Sequence, residues 1–261
     1  MVKYKNKSIK IYSDKDYNDT DGYDLRRRCN AYSEDEPETI KWLESFSDNS
    51  IFYDIGSNIG GYSFIANMIH KNIQIYSFEA NFMNFYTQLK TCVKNNINNI
   101  VPMNVAINDE NNFDYFKFHL PVNGGDGTFG EKLKKQMLNS DYSNPFTHKK
   151  SNLEVGMLGV SLDSLVYDFG LPVPNYIKLD VDGLLPITIK LDVDGNELLI
   201  LNGAKRLLKE KKIKQIFIEV DDKIYTENDI DNYMNNYPYK IKKDINVGKE
   251  KKPIRMGFYT K

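Results

Sequence analysis

The stretch Ile51-Phe52-Tyr53-Asp54-Ile55-Gly56-Ser57-Asn58-Ile59-Gly60-Gly61 decides the fold. An apolar β-type run enters a tight turn of one acid, glycines and small polar residues, and a helix-compatible stretch continues to Ile69. Glycine serves where backbone must approach a ligand or take a positive φ, and a helix start offers unpaired N–H donors. A second apolar run, Ile73-Gln74-Ile75-Tyr76-Ser77-Phe78, ends in Glu79, 25 positions after Asp54. An acid closing the second strand of a βαβ unit is placed to bind the hydroxyls of a ribose. The unit reads as a site for a nucleoside-containing cofactor.

Which cofactor follows from what the loop lacks. The dinucleotide fingerprint G-x-G-x-x-G brings backbone up to a pyrophosphate, whereas this loop reads D-x-G-x-N-x-G. A carboxylate beside a pyrophosphate is repelled; beside an ammonium group it is welcome. S-adenosylmethionine has the ammonium and the ribose and no phosphate, so Asp54 favours it over NAD. An architectural reading, in which Asp54 caps the helix and the glycines only turn the chain, stands beside this one.

The 261 residues suffice for one large α/β domain with a buried core. A formal net charge of −1, from 35 basic and 36 acidic residues, gives no field for nucleic acid. Two cysteines, Cys29 and Cys92, suit a reducing compartment better than a disulfide framework. The first eight residues lack the apolar core of a signal peptide, and no apolar run approaches the ~20 residues of a membrane span. The expectation is a soluble, cytoplasmic chain.

Outward from the central unit, strands and helices alternate. Ser33-Glu34-Asp35-Glu36-Pro37 reads as a helix start with Ser33 as cap and Glu36 three positions on, carrying Ile40, Leu43 and Phe46 inward. Phe82 to Lys94 reads as a helix and Ile100 to Ile107 as one strand, followed by a β-rich segment from Phe113 to Leu120 and an irregular stretch from Pro121 to Gly156. Within that stretch, Asn123 to Lys132 is rich in glycine, either a surface loop or a lid. The basic cluster Arg26-Arg27-Arg28 is either a solvated face or one wall of an anionic substrate's site. Lys214 to Val220 reads as a buried strand, and two closing runs, Tyr239 to Lys242 and Ile254 to Tyr259, as a hairpin. The fold expected is α/β: a doubly wound, mostly parallel seven-stranded sheet with helices on both faces and a C-terminal antiparallel hairpin, the layout of class I methyltransferases. Residues 49–261 form that domain, and residues 1–48 form an extension contributing to the acceptor site.

Ile177-Lys178-Leu179-Asp180-Val181-Asp182-Gly183 recurs unchanged at Ile189 to Gly195, 12 positions on. A strand ending in carboxylates places acids where ligands bind in an open sheet. Only one copy fills the central strand. Continuity with the helix starting at Asn196 favours the second, since Leu184-Leu185-Pro186 after the first suits no helix.

Taken together, these residues resemble the FkbM-type S-adenosylmethionine-dependent methyltransferases over roughly residues 50–220. The similar elements are Asp54 to Ser63, Phe78-Glu79-Ala80, Asn104-Val105-Ala106-Ile107, Val160 to Leu165, Ile189 to Glu197 with Leu201-Asn202-Gly203-Ala204, and Ile218-Glu219-Val220. The resemblance implies O-methyl transfer to a small-molecule or glycan acceptor, such as a sugar hydroxyl in surface polysaccharide. It departs from the family at the repeated motif.

Roles follow on that basis. Gly56, Ser57, Asn58 and Gly60 approach the methionine end of the cofactor, Asp54 holds its ammonium and Glu79 its ribose, and Asn104 and Ala106 flank the adenine. Asp192, or Asp180 if the first copy is the working strand, faces the methyl group as base or orienter. His119 is a further candidate base, as is His148. No metal ligand set is assigned, and a homodimer is compatible with the sheet edges. A catalytically silent cofactor-binding protein and an NAD-dependent oxidoreductase remain as other readings.

Overall fold

In the computed structural model, residues 1–13, 25, 29, 30, 32, 36–118, 125, 127–130, 153–180, 196–221, 229–246 and 254–260 are described. The chain opens with a small antiparallel pair, β1 (Val2–Tyr4) and β2 (Lys7–Ile9), and a helix, α1 (Pro37–Glu44). The βαβ unit follows as β3 (Ile51–Ile55), α2 (Gly61–Ile69) and β4 (Gln74–Phe78), then α3 (Phe82–Lys94) and β5 (Ile100–Met103). Next come four strands, β6 (Ala106–Asn108), β7 (Asn112–Phe118), β8 (Gly127–Phe129) and β9 (Glu154–Ser161), and a helix, α4 (Leu162–Tyr167). The chain closes with β10 (Tyr176–Leu179), α5 (Asn196–Asn202), α6 (Lys205–Lys209), β11 (Gln215–Asp221), α7 (Asp229–Met234), β12 (Lys240–Asn246) and β13 (Ile254–Thr260).

Seven strands form the main sheet in the order β12-β13-β11-β10-β3-β4-β5. Pairing from β11 through β5 is parallel, and β13 runs antiparallel to both β11 and β12, as the closing runs predict. Alternation along β3 divides the core. Phe52 joins Trp42, Phe64, Ile75 and Phe217 on one face, while Tyr53 and Ile55 join Ile177, Leu179, Leu207 and Ile218 on the other. Both faces of the sheet are therefore covered, as the near-continuous apolar strands require. The N-terminal segment is part of the first face: Val2, Ile9 and Leu43 belong to the same buried cluster as Phe52 and Phe217.

Four sequence expectations need correction. The central strand is filled by the first copy of the repeat, since Tyr176–Leu179 lies in register between β3 and β11. Continuity with the helix favoured the second copy, but the sheet position is settled by cross-strand packing: all four β10 residues are buried. Residues 189–195 lie outside the described residues. Next, α1 begins at Pro37 with Glu36 at its N-cap position, and no side chain caps it. Glu36 is thus not three residues inside the helix, and Ser33 lies outside the described residues. The single strand expected over Ile100 to Ile107 breaks at Asn104, because β5 pairs with β4 and β6 with β9 in another sheet. Finally, the stretch read as irregular includes β8 and the start of β9, which build a four-stranded sheet ordered β6-β9-β7-β8. Gly125 from its glycine-rich part is buried, its carbonyl accepting from Asn81 at 3.2 Å and Asn84 at 2.8 Å.

The serine-leucine-aspartate element is architectural. Ser161 Oγ accepts from the backbone N–H of Ser164 (3.1 Å) to cap α4, and Asp163 accepts from the N–H groups of Arg206 and Leu207 (both 2.8 Å) at the start of α6. Side-chain oxygens at these positions satisfy helix donors that otherwise have no partner.

Candidate functional site

The site lies where β3 hands over to α2. Gly56 (φ 74°), Asn58 (φ 52°) and Gly60 (φ 84°) take the left-handed conformation, which lets the chain reverse within five residues. The turn is tied to the next strand. Gly56 and Ser57 donate backbone N–H groups to Phe78 O at 3.0 and 3.1 Å. Gln88 from α3 donates to Ser57 Oγ (2.8 Å) and Asn58 O (2.5 Å) while accepting from Ser77 Oγ (2.5 Å). Gly61 is hemmed in by aromatic packing, because a Cβ there would lie 2.2 Å from the Tyr32 ring.

Asp54 and Glu79, the two acids of the fingerprint, are both buried, with 1% and 8% exposure. Asp54 Oδ2 accepts from Ser63 Oγ at 2.6 Å, so the helix-capping role is real. Its Oδ1 is buried with no hydrogen-bond partner among the described residues. Burial pushes the Asp54 carboxyl above its usual range, partly countered by Lys178 and by Ser63. Glu79 straddles the turn: Oε2 accepts from the Asn58 N–H (2.7 Å) and Oε1 from the Asn81 N–H (2.8 Å). Each carboxylate oxygen retains further acceptor capacity.

Beyond β4, Asn104 is exposed and donates to the carbonyls of Glu79 (2.9 Å) and Ala80 (3.0 Å). It borders a cavity of about 410 Å³ whose walls include Phe82, Met83, Phe118 and Met157. Ala106 sits apart from that rim, packed with Phe116, Phe118 and Met157 in the small sheet's core. Asp192, His119, His148 and Arg26 to Arg28 lie outside the described residues.

The structure adds residues that the sequence reading passed over. Lys178 pairs with Asp54 across β10 and β3, is 1% exposed, and makes an ion pair with Asp180. Its ammonium sits 4.8 Å from the centre of the Tyr62 ring. Burial alone opposes that charge, but Asp180, Asp54 and Glu36 outweigh it and hold the lysine above its ordinary pKa. Glu36 reaches in from the start of α1, its Oε2 accepting from Thr39 Oγ1 (3.0 Å) and Tyr62 OH (2.5 Å). One signal was available in the sequence: a lysine inside an apolar strand needs buried carboxylate partners.

A parallel sheet with its strands in this order, a C-terminal antiparallel pair and an acid-bearing glycine turn after the central strand defines a class I methyltransferase. More narrowly, the chain belongs to the family of the methyltransferase FkbM domain, whose profile matches residues 54–184 and 186–241. It is accordingly a methyltransferase, with S-adenosylmethionine as cofactor. Comparison with curated proteins gives no match. Among solved structures, a precorrin-6y C5,15-methyltransferase from Geobacter metallireducens GS-15 aligns at 13% identity and TM-score 0.46, covering 87% of this chain and 86% of its own. A SAM-dependent methyltransferase from Aquifex aeolicus aligns at 11% identity and TM-score 0.44, covering 88% and 92%. An rRNA methylase from Streptococcus thermophilus aligns at 9% identity and TM-score 0.44, covering 86% and 94%. Likeness at that level says nothing about acceptor or site. Among the described residues no helix is long and apolar enough to cross a membrane.

Proposed function

We propose that the chain transfers the methyl group of S-adenosylmethionine to a hydroxyl oxygen of a sugar or related polar metabolite, in the modification of surface polysaccharide. The observation that carries the cofactor assignment is the buried, unpartnered Oδ1 of Asp54 at the end of β3, which calls for a donor the protein does not supply. The cofactor's ammonium is such a donor. Gly56, Ser57, Asn58 and Gly60 pass their backbone beside the methionine end, Glu79 holds the ribose hydroxyls, and Asn104 borders the adenine with Phe82 and Met83 nearby. The choice of a hydroxyl acceptor is supported by the FkbM resemblance.

The cofactor when bound supplies an electrophilic methyl group, so the protein's main task is to align the acceptor oxygen at attack distance. Asp180, following the central strand and 17% exposed, is placed to orient the hydroxyl or take its proton, with Lys178 fixing its carboxylate. Residues 1–48 contribute to the acceptor side through the start of α1. The reading is tested by calorimetric titration with S-adenosylmethionine and S-adenosylhomocysteine, followed by a screen of nucleotide-sugars and glycans for S-adenosylhomocysteine production. Cofactor binding with turnover on a hydroxylated sugar is the expected result; turnover only on amine or thiol acceptors would overturn the oxygen assignment.

The repeat supplies a separate check. Because β10 is the first copy, deleting residues 184–195 joins Gly183 to Asn196 and leaves one Ile-Lys-Leu-Asp-Val-Asp-Gly motif running toward α5. The deletion variant is expected to fold and to bind the cofactor within about threefold of the parent, since loop length contributes only weakly to stability. Methyl transfer that appears only after deletion would mean that the parent chain is a silent cofactor binder.

A further inference from the structure

The N-terminal segment carries a third carboxylate to the cofactor end of the sheet, outside every motif of the fingerprint. Glu36, Asp54 and Asp180 share one buried ammonium, Lys178. The groups facing Glu36 are Thr39 from its own helix, Tyr62 from α2, and Lys178 and Asp180 from the β10 side. Asp54 meets the same lysine from β3. With all of them ionised the cluster would carry two uncompensated negative charges in a low-dielectric setting, an arrangement that proteins relieve by retaining protons or by binding cations.

We propose that Glu36 makes this cluster a charge selector, favouring the cofactor that carries a sulfonium over the spent product, whose thioether sulfur is neutral. The inference rests on placing the methionine end of the cofactor at Asp54 to Gly60. In the free protein, burial and then the Asp180 carboxylate push the Glu36 carboxyl above its ordinary range, and burial does the same for Asp54, so the cluster retains a proton. A sulfonium brings the missing positive charge and displaces that proton. A thioether brings none, and the product is held without the added attraction. Loss of the sulfonium charge during transfer thereby loosens the product, with Glu36 as the residue that registers the change. The carboxylate acts on affinity and not on the reacting atoms.

The test is calorimetry of the full chain with S-adenosylmethionine and with S-adenosylhomocysteine, in buffers of different ionisation enthalpy, which reads the protons released. The parent is expected to release about one proton to the sulfonium form and almost none to the thioether. Glu36→Gln keeps an oxygen to accept from Thr39 and Tyr62 but removes the charge. It is expected to halve the release or more, and to lower the ratio of the two affinities about tenfold, as removal of one charge at close range implies. Equal proton release with both ligands in the parent would overturn the proposal, and needs no variant to fold. Unchanged release and an unchanged affinity ratio in Glu36→Gln would overturn it as well. Failure of the folded parent to bind either ligand would instead remove the cofactor placement itself.

A measurement on the free protein gives a second arm. A carboxyl whose folded pKa is raised binds more protons folded than unfolded, so its ionisation destabilises the fold as pH rises above the unfolded value. Glu36→Gln should gain thermal stability relative to the parent between about pH 5 and about pH 8. A gap between the two proteins that does not change with pH would mean that Glu36 is already ionised in the free cluster, and the selector would fail.

Discussion

Methionine in place of Lys178 is expected to cost about 3–5 kcal/mol of stability, the loss found when one partner of a buried ion pair is removed. The unbranched methionine fills much of the lysine stem's space, so the loss isolates charge from cavity formation. What remains is three acids, Asp54, Asp180 and Glu36, at the ends of β3 and β10 and the start of α1 with no cation among them. For a chain of this length the thermal midpoint should fall by roughly 10 °C, taking about 2–4 °C per kcal/mol. The sign of the pH dependence follows from Lys178, whose pKa is raised by its carboxylates despite burial. Its contribution is fully present below the unfolded value of 10.5 and is lost as pH rises through the higher folded value. The parent should therefore lose stability in that alkaline window while Lys178→Met does not share the loss. Combining it with Glu36→Gln should recover about 0.5–3 kcal/mol by coupling between neighbours. Urea unfolding of the four proteins checks all of this, and a Lys178→Met variant as stable as the parent would mean that the acids are neutral and need no partner.

Glu79→Ala carries the second large effect. Two backbone N–H groups, those of Asn58 and Asn81, lose the carboxylate that joins the glycine turn to the start of α3. If the same carboxylate also accepts from the ribose hydroxyls, two charge-assisted bonds of about 1.5–3 kcal/mol each disappear, which corresponds to a weakening of roughly 10²- to 10⁴-fold in cofactor affinity. Glu79→Gln keeps one acceptor oxygen and should lose markedly less. Calorimetric titration with S-adenosylmethionine separates these cases. A Glu79→Ala protein that binds the cofactor as tightly as its parent has a ribose site elsewhere, and the residue would then be a clamp on the turn alone.

What could be read in the sequence was local. The turn after β3, Glu79 at the end of β4 and the closing hairpin are each specified by residues within a few positions of one another, and the sheet assembled as expected. What could not be read depended on partners far along the chain. The two copies of Ile-Lys-Leu-Asp-Val-Asp-Gly are identical, so no local property separates them; register against Phe52 to Ile55 and Gln215 to Ile218 does. The break after Met103 depends on β6 finding β9, which lies some fifty residues later. Glu36 looked like half of a capping box because Ser33 stands three residues before it, yet Tyr62 and Lys178 are its distant company. The site's carboxylates on β3 and β4 announced themselves, whereas the lysine that neutralises them was hidden in an apolar run.

Trp42 is the chain's single tryptophan. It is 4% exposed, stacks on Phe217 at 4.9 Å, and donates its indole N–H to Gln215 at 2.8 Å. It sits on α1, the same helix whose first turn presents Glu36. The molecule thus contains a built-in optical reporter: ultraviolet emission from this one indole records whether the amino-terminal arm is seated on the sheet, and a red shift on dilution into mild denaturant would time its detachment without any label.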